Sequence, residues 1–147
     1  MKSIQNKQLI GIIGIFIFTL IEAAHLYGQS YDQSLLLNKE WKYQEPGKTF
    51  YFSFLFTDKE EIVTLFTDGV KSGKEIKSSY YLSNETTDKF QSNLVGKSKI
   101  GKYIVIRRKG EVSGERLVLY EILKLTDTTL KIRNLQSGSA IVEYTAQ

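Results

Sequence analysis

The chain has no cysteine, one histidine and one proline, and its longest apolar run falls short of a bilayer's thickness. Each absence removes a class of function. Without cysteine there are no disulfide staples, no thiol nucleophile and no attachment point for a bacterial lipid anchor, so hydrophobic burial and strand pairing must supply the stability. The one histidine, His25, lies in an amino-terminal segment with a basic start at Lys2 and Lys7, an apolar run from Leu9 to Ile21, a short polar stretch and the small residue Gly28. This is the layout of a secretory signal peptide. The run is shorter than the roughly 18 to 20 residues of a spanning helix, which favours removal over anchoring. Cleavage is expected after Gly28, with residues 1–28 as the signal peptide and Gln29 as the new amino terminus. The mature chain then holds no histidine, which excludes Ser-His-Asp triads, Cys-His pairs and ordinary zinc sites. Phosphate-cradling glycine loops and calcium loops are also missing. The expectation is a periplasmic or secreted protein, not an enzyme, with no catalytic residue, metal or cofactor. Export and a formal charge of only +4 argue against nucleic acid, and no stable membrane span is expected after signal removal.

Residues 29–147 suffice for one domain with a core and are too few for two. From Trp41 onward the dominant period is two, with turn residues every eight to twelve positions, the pattern of an antiparallel barrel or sandwich. A short helical turn is expected between Tyr31 and Asn38, around Leu35, Leu36 and Leu37. Pro46-Gly47 ends the strand that holds Trp41 and Tyr43, since proline lacks the ladder donor. In the next strand Phe50, Phe52, Phe54 and Phe56 share one face, opposite Tyr51, Ser53, Leu55 and Thr57. That stripe must face inward. Further strands are expected over 61–67, 75–83, 102–108, 117–125, 130–135 and 140–145, with a short one near Phe90 to Val95. Leu117, Leu119, Leu123 and Leu125 are expected on one face of the long strand, with Val118, Tyr120 and Ile122 on the other.

The stretch Leu37-Asn38-Lys39-Glu40-Trp41 resembles the start of a small bacterial lipocalin-like domain, where a leucine and a tryptophan flank a glycine. Lys39 takes the place of that glycine. Ile122 to Ile132, a strand, a threonine-rich turn and a leucine-bearing strand, extends the resemblance. It implies an all-β, eight-stranded up-and-down barrel over 29–147 whose tryptophan plugs one end. Eight strands can be filled by side chains or hold one small ligand, and closure removes sheet edges.

Candidate sites follow from residue type. Phe52, Phe54, Tyr80, Tyr103 and Tyr120 could line a cavity, and equally could pack a core. Positive charge gathers between Lys97 and Arg116. In a hairpin turning near Glu111 and Val112, Arg107 or Arg108 lies opposite Arg116. Arg107, Arg108 and Arg116 could then steer an anionic head group, or equally be a solvated hairpin. Replacing these three with glutamine is expected to leave folding nearly unchanged. Glu121 and Glu143 are strand acids expected to face water or meet an arginine, and Asp58, Glu60 and Glu61 are expected to be a solvated turn. Two functions remain open. One is non-covalent binding of a small apolar or anionic amphipathic ligand. The other is a small interaction or inhibitor domain with a filled core, meeting an acidic protein surface through its loops and basic hairpin. An aromatic-lined hollow discriminates them.

Overall fold

Alternating aromatic and polar residues turn one face of each strand inward, and eight such strands close on themselves. A computed structural model describes residues 28–110 and 114–147. The signal peptide expected over 1–28 therefore lies, up to residue 27, outside the described residues, as do Glu111 and Val112 at the expected hairpin turn. The strands are β1 (Tyr31–Asp32), β2 (Glu40–Tyr43), β3 (Phe50–Phe56), β4 (Glu60–Thr67), β5 (Val70–Ser83), β6 (Ile100–Gly101), β7 (Tyr103–Gly110), β8 (Gly114–Leu125), β9 (Thr129–Asn134) and β10 (Ile141–Ala146). Strands β2, β3, β4, β5, β7, β8, β9 and β10 pair in that order, all antiparallel, and β10 closes back onto β2 through Ala146 and Trp41. The expected all-β, eight-stranded up-and-down barrel is the observed one.

Turn chemistry sets the register. Asp68 (φ 51°) and Gly69 (φ 76°) both adopt left-handed backbone between β4 and β5, the two-residue hairpin whose twist matches the strands it joins. Up-and-down order puts the β2–β3, β4–β5, β7–β8 and β9–β10 turns at one end of the barrel. The amino-terminal segment closes the other end. There β1 pairs with β6, and a 3₁₀ turn over Gln33–Leu35 begins where the Asp32 carboxylate accepts a 2.8 Å bond from the Ser34 amide. Leu36 and Trp41 are fully buried beneath this strap, and the Trp41 indole Nε1 donates to the Leu36 carbonyl at 3.1 Å. Tyr80 donates to the Thr57 carbonyl at 2.6 Å and accepts from Gln33 Nε2 at 2.7 Å, tying strap to wall.

Three expectations change. The strand expected over 75–83 begins at Val70, because the turn is only Asp68-Gly69 and Val70 to Ser72 already pair with β4. Phe90 to Val95 is not a strand but a loop with a 3₁₀ turn at Ser92–Leu94, and Phe90, Leu94 and Val95 cover Tyr81, Val105 and Leu119 on the outside of the barrel. The stretches Tyr80 to Leu82 of β5, Ile104 to Ile106 of β7 and Val118 to Leu119 of β8 are thus buried on both faces. Leu125 joins the inner core with Val118 and Ile122, because an irregularity between Ile122 and Lys124 reverses the alternation of β8. Among the described residues no helix is long and apolar enough to cross a membrane.

Candidate functional site

The phenylalanine stripe of β3 maps the barrel from floor to mouth. Phe56 is 3% exposed in the packed floor, whereas Phe52 and Phe50 are 46% and 49% exposed at the opposite end. All four share one parity, so the exposed pair stays on the inner wall. Three hollows adjoin at this mouth. One, about 220 Å³, lies between β2, β3 and β10 and is lined by Tyr43, Phe50, Phe52, Phe54 and Tyr144, with Glu45 and Lys48 at its rim. A second, about 200 Å³, is formed by Phe52, Phe54, Val63, Ile76 and Arg108. The third, about 490 Å³, is bounded by Arg108, Arg116, Val118, Tyr120, Asn134, Gln136 and Ser137. Phe52 and Phe54 are common to the first two, and Arg108 to the last two.

Arg108 is fixed from below. Glu61, 1% exposed, accepts from Arg108 Nη2 at 2.9 Å with each carboxylate oxygen and from Nε at 3.3 Å. Such a fork-to-fork ion pair is among the stronger charge-assisted contacts. Burial pushes the Glu61 carboxyl above its ordinary value, and the guanidinium beside it opposes that rise. For Arg108, burial works against the charge, but Glu61 and Tyr120 outweigh it and hold the guanidinium protonated. The guanidinium lies 6.0 Å from the centre of the Tyr120 ring. Burial raises the Tyr120 and Tyr144 phenols, so both are neutral hydrogen-bonding groups at physiological pH. Tyr144 stands edge-on to Phe54 (5.1 Å) and Tyr43 (6.2 Å), an arrangement favoured by aromatic quadrupoles.

Of the residues expected from sequence, the structure brings Phe52, Phe54, Tyr120, Arg108 and Arg116 to this mouth, and Arg108 pairs with Arg116 across β7–β8. Three lie elsewhere. Tyr80 is fully buried in the closed end, where its hydroxyl is committed to Gln33 and Thr57. Tyr103 packs with the outer cluster around Val105. Arg107 also points outward, with its guanidinium 4.8 Å from the Phe90 ring and Nη1 3.3 Å from Ser92 Oγ. Tyr103 and Arg107 have the parity of Val105, opposite to that of Ile104, Ile106 and Arg108. The expectation that all three arginines are dispensable for folding is corrected for Arg108, whose removal strands a buried carboxylate. Glu61 is likewise corrected from solvated turn residue to buried ion-pair partner. Glu121 meets Lys102 (2.9 Å) and Arg133 (3.3 Å), and Glu143 meets Lys131 (3.4 Å). Compared with known proteins, the chain matches no family model, no curated protein and no solved structure.

Proposed function

We propose that this is an exported, lipocalin-like barrel that binds a small apolar or amphipathic ligand without covalent chemistry. The observation that carries the reading is the inward aromatic stripe left open at the mouth: Phe50 and Phe52 are half-exposed inside a concavity. Apolar surface gathered in a hollow with a few polar groups is the usual build of a small-molecule site. Burying it under a ligand is worth roughly 25 cal/mol per Å². Arg108, Arg116 and Tyr120 add the polar contacts that orient a head group. The protein is not an enzyme in this reading; it holds its ligand unchanged.

Calorimetric titration with octanol and octanoate tests binding. Phe52→Ser with Phe54→Ser is expected to weaken both by tenfold or more, given the apolar area lost. Unchanged affinity in that variant would place binding elsewhere. The export part rests on the basic, apolar and small-residue layout of 1–28 and on Gly28 to Ser30 being exposed and outside any strand. Amino-terminal mass analysis of the exported protein is expected to read Gln29 first. A product retaining Met1 contradicts it.

A further inference from the structure

The two hollows that meet at Arg108 differ in chemistry. On the β3–β4–β5 side, Phe52, Phe54, Val63 and Ile76 offer no polar side chain. On the β8–β9 side, Arg116, Tyr120, Asn134, Gln136 and Ser137 offer many. Glu61 occupies Nε and Nη2 of Arg108, and the phenol of Tyr120 stands beside the same guanidinium on the polar side. Arg116 is exposed at the rim and has no ion pair among the described residues.

We infer that the ligand lies across Arg108, its apolar tail in the Phe52–Ile76 hollow and an anionic oxyacid head in the Arg116–Ser137 hollow, with Glu61 as the positioning residue that holds Arg108 between them. This rests on the ligand-binding reading above and narrows it to a two-part ligand. The apolar side cannot satisfy a charged head, and burying one there without partners is costly. Among the described residues the polar side has two guanidinium groups and no carboxylate lining it.

Glu61 also makes the site sensitive to pH. A bound anion brings a second negative charge to a guanidinium that already serves a buried carboxylate, and proton uptake by Glu61 relieves the repulsion. Ser78 is the strand partner of Glu61 on β5, and its Oγ is buried with no hydrogen-bond partner among the described residues. The other groups facing Glu61 are Arg108 from β7, Tyr80 from β5, Tyr120 from β8 and Tyr144 from β10. From β3 the strand partner is Phe56, which does not titrate. The phenols and the guanidinium keep their protons across the acidic and neutral range, which leaves Glu61 as the responding group.

Calorimetry with octanesulfonate, whose charge does not change with pH, and with octanol separates the claims. Octanesulfonate is expected to bind about tenfold tighter than octanol at neutral pH, and Arg116→Gln to remove most of that margin by weakening octanesulfonate far more than octanol. Octanesulfonate affinity is expected to rise as pH falls from about 8 to about 5, and Glu61→Gln to flatten that profile. A flat profile in the unmodified protein overturns the role of Glu61, a readout that a merely structural ion pair would not move. Equal affinities for the two probes with a silent Arg116→Gln overturn the pose across Arg108 and leave apolar binding standing. Failure of both probes to bind removes the ligand-binding reading itself, and this inference with it. Arg116 lies on the exposed rim, so its variant keeps the test open should Glu61→Gln fail to fold.

Discussion

Arg108→Met is expected to destabilise the barrel by about 3 to 5 kcal/mol, because it leaves the Glu61 carboxylate buried without its partner. Equilibrium denaturation across pH reads the cause as well as the size. A carboxyl raised in the folded state binds more protons there than in the unfolded chain, so its contribution to stability falls as pH rises from the ordinary carboxylate range through the raised value. Arg108→Met raises that value further. Its loss is therefore expected to shrink in acid and to be largest at neutral pH and above. Adding Glu61→Gln to Arg108→Met is expected to recover part of the stability and flatten the slope. A loss below about 1 kcal/mol, or one independent of pH, contradicts the buried-pair assignment.

Trp41→Ala is expected to cost about 3 to 5 kcal/mol through the cavity it opens at the closed end. Trp41 is 0% exposed, Leu36 packs with it in the same core cluster, and β10 closes the barrel beside it through Ala146. Loss of the indole also leaves the Leu36 carbonyl without its 3.1 Å donor. Trp41→Phe keeps much of the packing and loses that bond, so its cost is expected to be smaller by a kcal/mol or more. Tryptophan emission typical of an exposed indole in the native protein, or an alanine variant nearly as stable as the original, contradicts a plugged end.

The barrel was legible in the sequence because its signals are local. The parity of Phe50 to Phe56, the Pro46-Gly47 turn and the placing of Arg107 or Arg108 opposite Arg116 follow from alternation and turn chemistry, whereas the tight Asp68-Gly69 turn hides behind the glycine at 73 and the polar residues around it. What alternation could not supply is which face of a two-sided strand points inward. Tyr103 and Arg107 share the parity of Val105, and only the loop carrying Phe90, Leu94 and Val95 makes that face an outer one. Leu125 escaped because an irregularity within β8 reverses parity without a glycine or proline to mark it. Phe90 to Val95 lacks any alternation, so its apolar residues resembled a weak strand. Glu61 was missed because Asp58 and Glu60 beside it made an ordinary solvated turn. One cue was present. Glu61 has the parity of Val63, and a charge at an inward position implies a partner, here Arg108 forty-seven residues away.

The central claim is that the mouth of the barrel, rather than its outer surface or loops, holds an amphipathic ligand. Intermolecular nuclear Overhauser contacts from octanesulfonate to an aromatic-labelled sample test it most directly. Binding inside the cup predicts contacts from the terminal methyl protons to the rings of Phe52 and Phe54, and from the methylene next to the sulfonate to Tyr120. Contacts confined to Phe90 or Tyr103 would contradict it.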